Sequence, residues 1–221
     1  MWRRRVPTWL RASVGATLVG VVALQPAHVA AAPAATVSIT VRAVGASGQP
    51  VNGYQVANRQ GSPNLSGCPG PSPAAVGRDI YACQPDQAAA EVCWPAPASV
   101  LCLLDPWSKA LRRFPAPGAL PAVDPPVTPM PFALQLDDGT QCILPNGIDW
   151  GARADDMVPA YGCNPGKTSE GVLVAAGDDP VSAIDRSGPV WVVRIGELGP
   201  RDAAFESPRR HAVTTAWFAG N

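Results

Sequence analysis

Residues 131–163 read PFALQLDDGTQCILPNGIDWGARADDMVPAYGC, and this stretch decides the fold that the sequence predicts. Large apolar residues alternate with small or polar ones along Phe132–Leu136, which is the pattern of a strand with one buried face. Asp137-Asp138-Gly139 follows, and Asp-Gly favours a hairpin turn because both residues tolerate a positive φ. Thr140–Leu144 is the expected partner strand, and Pro145-Asn146-Gly147 predicts a second turn. An antiparallel hairpin is therefore expected at the centre of the fold.

Short apolar or alternating runs continue on both sides of the hairpin, each bounded by turn residues, which is typical of antiparallel sheets. They lie at Thr36–Val44, Val51–Ala57, Asp79–Ala82, Ser99–Leu104, Gly171–Ala176, Val181–Asp185, Pro189–Ile195 and His211–Phe218. Asp86 is placed to cap a short helix over Gln87–Val92, and Asp202–Phe205 is a second helix candidate. The predicted fold class is mainly β, with small antiparallel sheets and hairpins held by disulfides, one short helix and a long proline-rich linker.

The cysteines form an even set of six: Cys68, Cys83, Cys93, Cys102, Cys142 and Cys163. In an exported chain this predicts three disulfides formed in an oxidising compartment. Zinc sites favour ligands two to four residues apart, and successive cysteines here are at least nine residues apart, so no metal site is expected. Many pairings are formally possible. We favour Cys142–Cys163 because both flank the hairpin, and Cys68–Cys83 and Cys93–Cys102 because they close the shortest loops.

Residues 1–31 have the features of a secretory signal peptide. Four arginines precede an uncharged, mostly apolar run, Ala12–Leu24, and small residues that suit cleavage follow at Ala30 and Ala31. The alternative is an uncleaved membrane anchor, but a spanning helix needs roughly 20 apolar residues and this run is shorter. The sequence therefore predicts a protein that is secreted, extracellular or in the cell envelope, with no membrane span after cleavage.

Seven prolines lie within residues 114–131, a density that neither a helix interior nor a central strand accepts. Such a segment is expected to be extended and semi-rigid, and we interpret it as a linker. It divides the mature chain into an N-terminal β-rich part, residues 32–113, with four cysteines, and a C-terminal antiparallel β part, residues 132–221, with two. The alternative, a ligand for proline-recognising domains, belongs mainly to cytoplasmic signalling.

The charge of the chain excludes one class of partner. The whole sequence has seventeen basic and seventeen acidic residues, and loss of the four arginines in the signal segment leaves a net charge of −4. Nucleic-acid binding depends on a basic patch that neutralises phosphates, and the mature sequence contains no cluster of this kind. Nucleic acid is therefore not an expected partner.

The sequence offers no complete catalytic constellation. His211 is the only histidine after the signal segment, no G-x-S-x-G motif presents a serine, and cysteines paired in disulfides are not nucleophiles. Gly162–Thr168 resembles a phosphate-binding loop, but three residues separate its glycines where that motif needs four. No catalytic, cofactor-binding or metal-binding residue is therefore assigned.

Two other residue sets have ordinary structural explanations. The aspartate pairs at 137–138, 155–156 and 178–179 are expected to form turns, with a surface calcium site near Asp155-Asp156 as the alternative. Five tryptophans of the mature chain could line a carbohydrate-binding face, although we expect them in the core. They are Trp94, Trp107, Trp150, Trp191 and Trp217.

Several strings resemble those of a group of exported actinobacterial, mycobacterial-type cysteine-rich proteins whose function is not established. They are CWPAPASVLCLLDPW (93–107), ALQLDDGTQC (133–142), YGC (161–163), WVVRIG (191–196) and TAWFAGN (215–221). The resemblance covers most of Ser66–Asn221. It implies secretion and disulfides, and it transfers no catalytic residues.

A second, local resemblance is to subtilisin-inhibitor-like secreted proteins. The string CPGPS at Cys68–Ser72, with Cys83 fifteen residues after its cysteine, is similar to the first disulfide loop of that family. In that family a later cysteine precedes the inhibitory peptide bond and Asp-Pro follows it. Cys102–Pro106 has this order with fewer residues between, and the mature chain is longer than such inhibitors.

The expected function is that of a secreted, disulfide-held protein that binds an unknown protein or cell-envelope ligand and has no catalysis of its own. A secreted serine-protease inhibitor and a secreted hydrolase acting through His211 are the alternatives. No cofactor is expected, and the residues do not indicate an oligomeric state. Crosslinks, more than a large apolar interior, are expected to keep the molecule folded.

Overall fold

The structure is a computed structural model that describes residues 34–57, 65–85, 90–116, 118–144, 151–164 and 170–221, without the side chains of residues 84 and 85. The predicted signal peptide, the second turn at residues 145–147, Trp150 and residues 165–168 of the phosphate-loop-like string lie outside these ranges. In the described ranges, no helix has the length and apolarity that crossing a membrane requires.

Strands make up almost all regular structure in the described part of the chain. They are β1 Val37–Val41, β2 Gln55–Val56, β3 Leu65–Pro71, β4 Tyr81–Pro85, β5 Cys93–Ala96, β6 Ser99–Asp105, β7 Ala110–Pro115, β8 Ala133–Leu136, β9 Gln141–Ile143, β10 Met157–Cys163, β11 Glu170–Ala175, β12 Ile184–Asp185, β13 Trp191–Glu197 and β14 Arg209–Ala219. A 3₁₀ turn at Pro180–Ala183 is the one helical segment described. The mainly β fold class is confirmed.

Six strands close into a small barrel in the order β14-β8-β9-β10-β11-β13, with β13 pairing back to β14. Closure depends on the length of β14, which pairs with β13 along Arg209–Val213 and with β8 along Val213–Trp217. The alternation that predicted β8 places Leu134 and Leu136 in the core, opposite residues of β14. The barrel therefore uses the central hairpin as one part of its wall.

β1 extends this sheet by lying parallel to the last part of β14, Thr215–Ala219. β1 and β13 pair with the same edge of β14, and β13 pairs with the earlier part of that strand. Thr36 lies where these two neighbours meet. Its hydroxyl donates to the Val213 carbonyl at 2.7 Å and accepts from the Trp191 backbone N–H at 2.8 Å, so it links β1, β13 and β14.

The remaining strands form a second sheet in the order β2-β7-β6-β5-β4-β3. One core cluster joins barrel residues with Trp94, Leu101 and Leu111 of this sheet, so one face of it packs on the barrel. The Trp94 indole N–H donates to the Gly220 carbonyl at 3.0 Å and ties the sheet to the end of the chain. Its other face carries a smaller apolar cluster that includes two disulfides.

The central hairpin has the predicted form. β8 and β9 are antiparallel, and the Leu136 N–H donates to the Thr140 carbonyl at 2.9 Å across the turn. Gly139 has a φ of 86°, the left-handed conformation that the Asp-Gly turn requires. The Asp138 side chain also accepts the Thr140 N–H at 2.9 Å, which fixes the turn further.

Each of the three disulfides joins neighbouring antiparallel strands. Cys68–Cys83 joins β3 to β4, Cys93–Cys102 joins β5 to β6, and Cys142–Cys163 joins β9 to β10. The last two pairs are directly opposite in their ladders, with Cα separations of 4.0 and 3.9 Å. These are the same pairs that loop length and position favour in the sequence, and no free cysteine remains among the described residues.

The helix predicted over Gln87–Val92 is wrong in its described part, since Ala90–Val92 is not helical and residues 86–89 lie outside the description. The backbone of this segment forms hydrogen bonds with strands of the second sheet. The Ala90 carbonyl accepts the Cys83 N–H at 2.7 Å, and the Val92 carbonyl accepts the Leu103 N–H at 2.8 Å. Sheet hydrogen bonds therefore override the local helix propensity.

Two further local predictions fail for similar reasons. Asp202–Phe205 is not helical, and the Ala203 carbonyl accepts the Ala154 N–H at 3.0 Å. Only the end of Val181–Asp185 is a strand, because Asp179 caps a 3₁₀ turn there by accepting the Val181 N–H at 2.9 Å. Proline at the first helical position suits such a turn.

Four strands escaped prediction, and all four contain proline. Pro71 ends the edge strand β3, and Pro95 lies in β5 where β4 no longer pairs with it. Pro159 lies at an irregularity of β10 next to β11. These are positions where a missing N–H breaks no ladder bond, which is why proline is tolerated in strands there. The fourth, β7, runs into the segment that was interpreted as a linker.

The proline-rich segment lies against the second sheet. The Tyr81 hydroxyl donates to the Pro121 carbonyl at 2.9 Å, and the Asp79 N–H donates to the Val123 carbonyl at 3.0 Å. Val123 also packs on the smaller apolar cluster, together with Leu120. The segment therefore covers a sheet face, which is a different role from the semi-rigid linker expected of it.

The strands also cross the boundary drawn between residues 32–113 and 132–221. β1 comes from the first of these parts and pairs with β14 of the second. Residues 33–221 form one compact unit. Strand pairing and a shared core thus connect the two parts in the folded chain.

Candidate functional site

A cleft of about 360 Å³ opens where β1 approaches the second sheet, and we call it the inter-sheet cleft. The barrel side contributes Ile39, Thr40, Val41, Arg42 and Trp217, and the second sheet contributes Asn52, Tyr54, Pro106, Trp107 and Lys109. Three aromatic side chains and two cations therefore surround one concave space. Concave sites with aromatic walls and a few polar groups are the usual form of small-ligand sites.

Strand register and a tight turn position the two indoles. Ile39 of β1 is the register partner of Trp217 of β14, so both side chains lie on one face of the sheet. Trp107 lies in the turn between β6 and β7, where the Asp105 carboxylate accepts the backbone N–H groups of Trp107 at 2.9 Å and Ser108 at 3.2 Å. The turn is fixed by its own side chain, a common use of aspartate.

The polar groups of the cleft are partly engaged with one another. The Lys109 ammonium donates to the Asn52 carbonyl at 3.0 Å and lies 6.0 Å from the centre of the Tyr54 ring. The Asn52 amide donates to the Arg42 carbonyl at 2.8 Å. The Arg42 guanidinium has no ion-pair partner in the part of the chain that the structure describes. The cleft thus presents a net positive charge.

Two aromatic residues of the cleft carry hydrogen-bond donors in different environments. Burial raises the pKa of the Tyr54 hydroxyl, and the nearby Asp105 carboxylate raises it further, so the group remains protonated at neutral pH. The Trp107 indole N–H is buried and has no acceptor among the described residues. An unmet buried donor of this kind costs free energy.

A second cluster brings together residues that the sequence analysis considered separately. The His211 Nδ1 lies 3.1 Å from Asp137 Oδ1 and 3.5 Å from Asp138 Oδ2, with the His211 side chain 18% exposed. The Asp137 N–H donates to the Ala212 carbonyl at 3.0 Å, so the hairpin turn is fixed beside β14. Pairing between distant strands, which has no local sequence signal, creates this cluster.

The electrostatics of this cluster favour the ionised form of Asp138. Partial burial by itself raises the pKa of Asp138, but hydrogen bonds from Thr140 and the His211 charge outweigh it, and the pKa lies below the ordinary value. A histidine and two carboxylates are ligand types for divalent metal ions, and these three residues could hold one. No hydroxyl or thiol is a hydrogen-bond partner of His211 among the described residues, so no nucleophile is paired with it.

The other aspartate pairs have structural roles. Asp155 binds the buried Arg153 through two guanidinium nitrogens, with Nη2 to Oδ2 at 2.9 Å. Arg153, which is 3% exposed, also donates to the carbonyls of Glu197 and Glu206, each at 2.8 Å. The hydrogen bond from Arg153 holds the pKa of Asp155 below its ordinary value. Asp155 thus holds Arg153, which ties a loop to the barrel.

The remaining residues singled out in the sequence lie in the core or in disulfides. All six cysteines are in disulfides, including Cys163 of the phosphate-loop-like string, whose Gly162 lies within β10. Trp94 is in the core, as expected, whereas Trp107 and Trp217 are only partly buried and line the cleft. The sequence had no signal for Arg42, Asn52, Tyr54 or Lys109, because only the packing of β1 against the second sheet brings them together.

Comparison with known proteins adds no relative to this description. The chain matches no protein-family model, and neither the curated proteins nor the solved structures include a protein similar to it.

Proposed function

We propose that this chain is a secreted, non-catalytic binding module whose ligand occupies the inter-sheet cleft. The observation that carries the proposal is the concentration of Tyr54, Trp107 and Trp217 beside the cations Arg42 and Lys109 in one concave site. The three disulfides are consistent with an extracellular or envelope location, because such bonds persist in oxidising compartments.

The cleft chemistry fits an acidic saccharide of the cell envelope. The aromatic side chains offer flat apolar surfaces for sugar rings, and Arg42 and Lys109 suit a carboxylate or another anionic substituent. Asn52 and Tyr54 add hydrogen-bonding groups for hydroxyls. The residues that line the cleft include two cations and no acidic side chain, and the nearby Asp105 carboxylate already accepts the backbone N–H groups of Trp107 and Ser108.

The two alternative functions have less support from the geometry. Cys102–Asp105, which resembles the segment around an inhibitory peptide bond, lies inside β6 between β5 and β7 and is not an exposed loop. A hydrolase would depend on His211, whose described partners are two carboxylates and no nucleophile. Incubation with subtilisin-like and trypsin-like proteases at equimolar ratio tests inhibition directly, and we expect unchanged proteolysis.

Titration of the exported, oxidised protein with three soluble polymers tests the proposal, with tryptophan fluorescence as the readout. Polygalacturonate carries both sugar rings and carboxylates, dextran carries rings without charge, and polyglutamate carries charge without rings. We expect a saturable change with polygalacturonate alone. Arg42→Glu should weaken that binding by about tenfold or more, because it replaces an attractive charge with a repulsive one.

Arg194→Glu is the matched control, since Arg194 is exposed on β13 and takes no part in the cleft. If Arg42→Glu and Arg194→Glu weaken binding equally, the charge effect is nonspecific. That result would contradict the cleft as the binding site. If polyglutamate binds as tightly as polygalacturonate, the aromatic side chains of the cleft do not contribute to binding. Absence of binding to all three polymers would overturn the acidic-saccharide proposal.

A further inference from the structure

β1 is a terminal strand of its sheet and has one edge that no other described strand covers. The Val41 carbonyl accepts the Gly220 N–H at 2.8 Å, so the backbone groups of Val41, and of Ile39 and Val37 in the same alternation, point toward β14. Because successive residues of a strand direct their N–H and C=O groups to opposite sides, those of Ser38 and Thr40 point away from the sheet. Within the described part of the chain, two residues of β1 therefore have backbone donors and acceptors with no strand partner.

β1 lacks the protection that the other sheet edges have. β2 and β12 are two residues long, and β3 contains two prolines. β1 is five residues long, with no charge and no proline, and Val37 and Ile39 are 54% and 38% exposed. Proteins usually guard exposed edge strands with charge, proline or short length, so an unguarded edge with apolar side chains indicates a pairing surface.

The sequence of β1 says what can pair with it. Val37-Ser38-Ile39-Thr40-Val41 has nearly the same chemistry when read in either direction from Ile39. In an antiparallel pair of two β1 strands centred on Ile39, valine opposes valine, serine opposes threonine, and isoleucine opposes isoleucine. We propose that β1 pairs with the β1 of a second copy of this chain, antiparallel and about a two-fold axis at Ile39. This inference does not depend on the proposed ligand.

The geometry of such a pair agrees with the directions of the backbone groups. Ser38 faces Thr40 of the second copy as a hydrogen-bonded pair, and the symmetric pair gives four backbone hydrogen bonds in all. Ile39 faces its own copy in a non-hydrogen-bonded pair, in which Cα atoms lie about 4.5 Å apart. The ladder ends before Arg42, whose carbonyl already accepts the Asn52 amide. A self-complementary patch of this kind is the usual basis of a two-fold dimer.

Sedimentation of the full chain, expressed for export and purified with its disulfides formed, tests the association over a concentration series. We expect a dimer for the unaltered protein and weakening by about a hundredfold for Ile39→Lys, because two like charges would meet at the axis. Val158→Lys is the matched control, since Val158 is 37% exposed but lies in β10, opposite Val174 of β11 and outside β1. It should leave the dimer intact.

Cysteine crosslinking tests the register. Ile39→Cys should give a disulfide-linked dimer on a non-reducing gel, because the two side chains face each other at the axis. Val37→Cys should not form this crosslink, although Val37 lies on the same face and is more exposed. The Val37 residues of the two copies would lie four residues apart along the antiparallel pair. A monomer for the unaltered protein, a dimer that survives Ile39→Lys, or equal crosslinking of both cysteine variants would each overturn the proposal.

Discussion

The barrel and the outer face of the second sheet are stabilised in different ways. The cluster that fills the barrel and its contact with the second sheet has 31 buried residues among those described, and two of them are cysteines. The cluster on the outer face has nine, of which four are cysteines. Crosslinks are thus concentrated where the apolar core is small, as in small secreted domains that cannot build a large interior. The expectation that crosslinks dominate the stability applies to this face and less to the barrel.

Removal of both second-sheet disulfides should break the weaker region first. Replacing Cys68, Cys83, Cys93 and Cys102 with alanine is expected to cost roughly 5 kcal/mol of unfolding free energy, at about 2 to 4 kcal/mol for each crosslink. Hydrogen exchange should then show loss of protection in β3–β6 before the barrel strands. The comparison variant, Cys142→Ala with Cys163→Ala, should cost about 3 kcal/mol. If the barrel strands lose protection from hydrogen exchange as early as β3–β6 do, the two regions do not differ in the way proposed here.

Arg153 joins a loop to the barrel by hydrogen bonds. Arg153→Met should measure how much these hydrogen bonds contribute to the free energy of unfolding. The substitution leaves the carbonyls of Glu197 and Glu206 without their donor, and we expect a loss of about 3 kcal/mol in urea unfolding. Arg194→Met, on the exposed face of β13, should stay within about 0.5 kcal/mol of the unaltered protein. If both variants lose the same free energy of unfolding, the hydrogen bonds of Arg153 do not stabilise the protein.

The contact between the two regions can be measured with a matched pair of tryptophans. Trp94→Phe removes the hydrogen bond to the Gly220 carbonyl and should cost about 1 to 2 kcal/mol. Trp107→Phe removes a buried N–H that has no acceptor among the described residues, so its cost should be smaller or even reversed in sign. Thermal unfolding of the two variants provides the measurement. A larger loss for Trp107→Phe would contradict this assignment.

The smallest expected effect concerns Glu91, whose sequence neighbours Ala90 and Val92 belong to the two different clusters. Burial raises the pKa of Glu91 above its ordinary value of 4.5. A raised pKa means that the neutral form is favoured on folding, so this stabilisation is complete below about pH 4.5 and is lost as the pH rises through the raised value. Glu91→Gln should therefore stabilise the protein at pH 7, by the order of 0.5 kcal/mol, and have no such effect at pH 4. A gain that is the same at both pH values would contradict this explanation.

Local signals predicted the parts of the fold that local chemistry determines. The Asp-Gly turn and the alternation of Phe132–Leu136 predicted the central hairpin, because a two-strand unit with a tight turn is specified within a dozen residues. β5 and β10 were missed because Pro95 and Pro159 lie where the ladder is already interrupted, a fact that depends on the neighbouring strand. Ala90–Val92 was predicted as helix because its sheet partners, near Cys83 and Leu103, are not adjacent to it in the sequence.

The candidate site was harder to predict than the fold. Trp107 and Trp217 stood out as tryptophans, but nothing in the sequence separates a tryptophan in a cleft from one in a core. Arg42, Asn52 and Lys109 are ordinary polar residues until β1 packs beside the second sheet. The same holds for His211 and Asp137, which are 74 residues apart and meet only when β14 pairs with β8.

The position of β14 after all of its partner strands in the sequence has a consequence for the order of folding. Arg209–Ala219 is the common neighbour of β8, β13 and β1, and the following Gly220 accepts the hydrogen bond from Trp94. Neither ring closure nor this hydrogen bond to the second sheet can form before β14 has been synthesised. The strands from β8 to β13 therefore remain an open sheet until this one strand inserts between its neighbours.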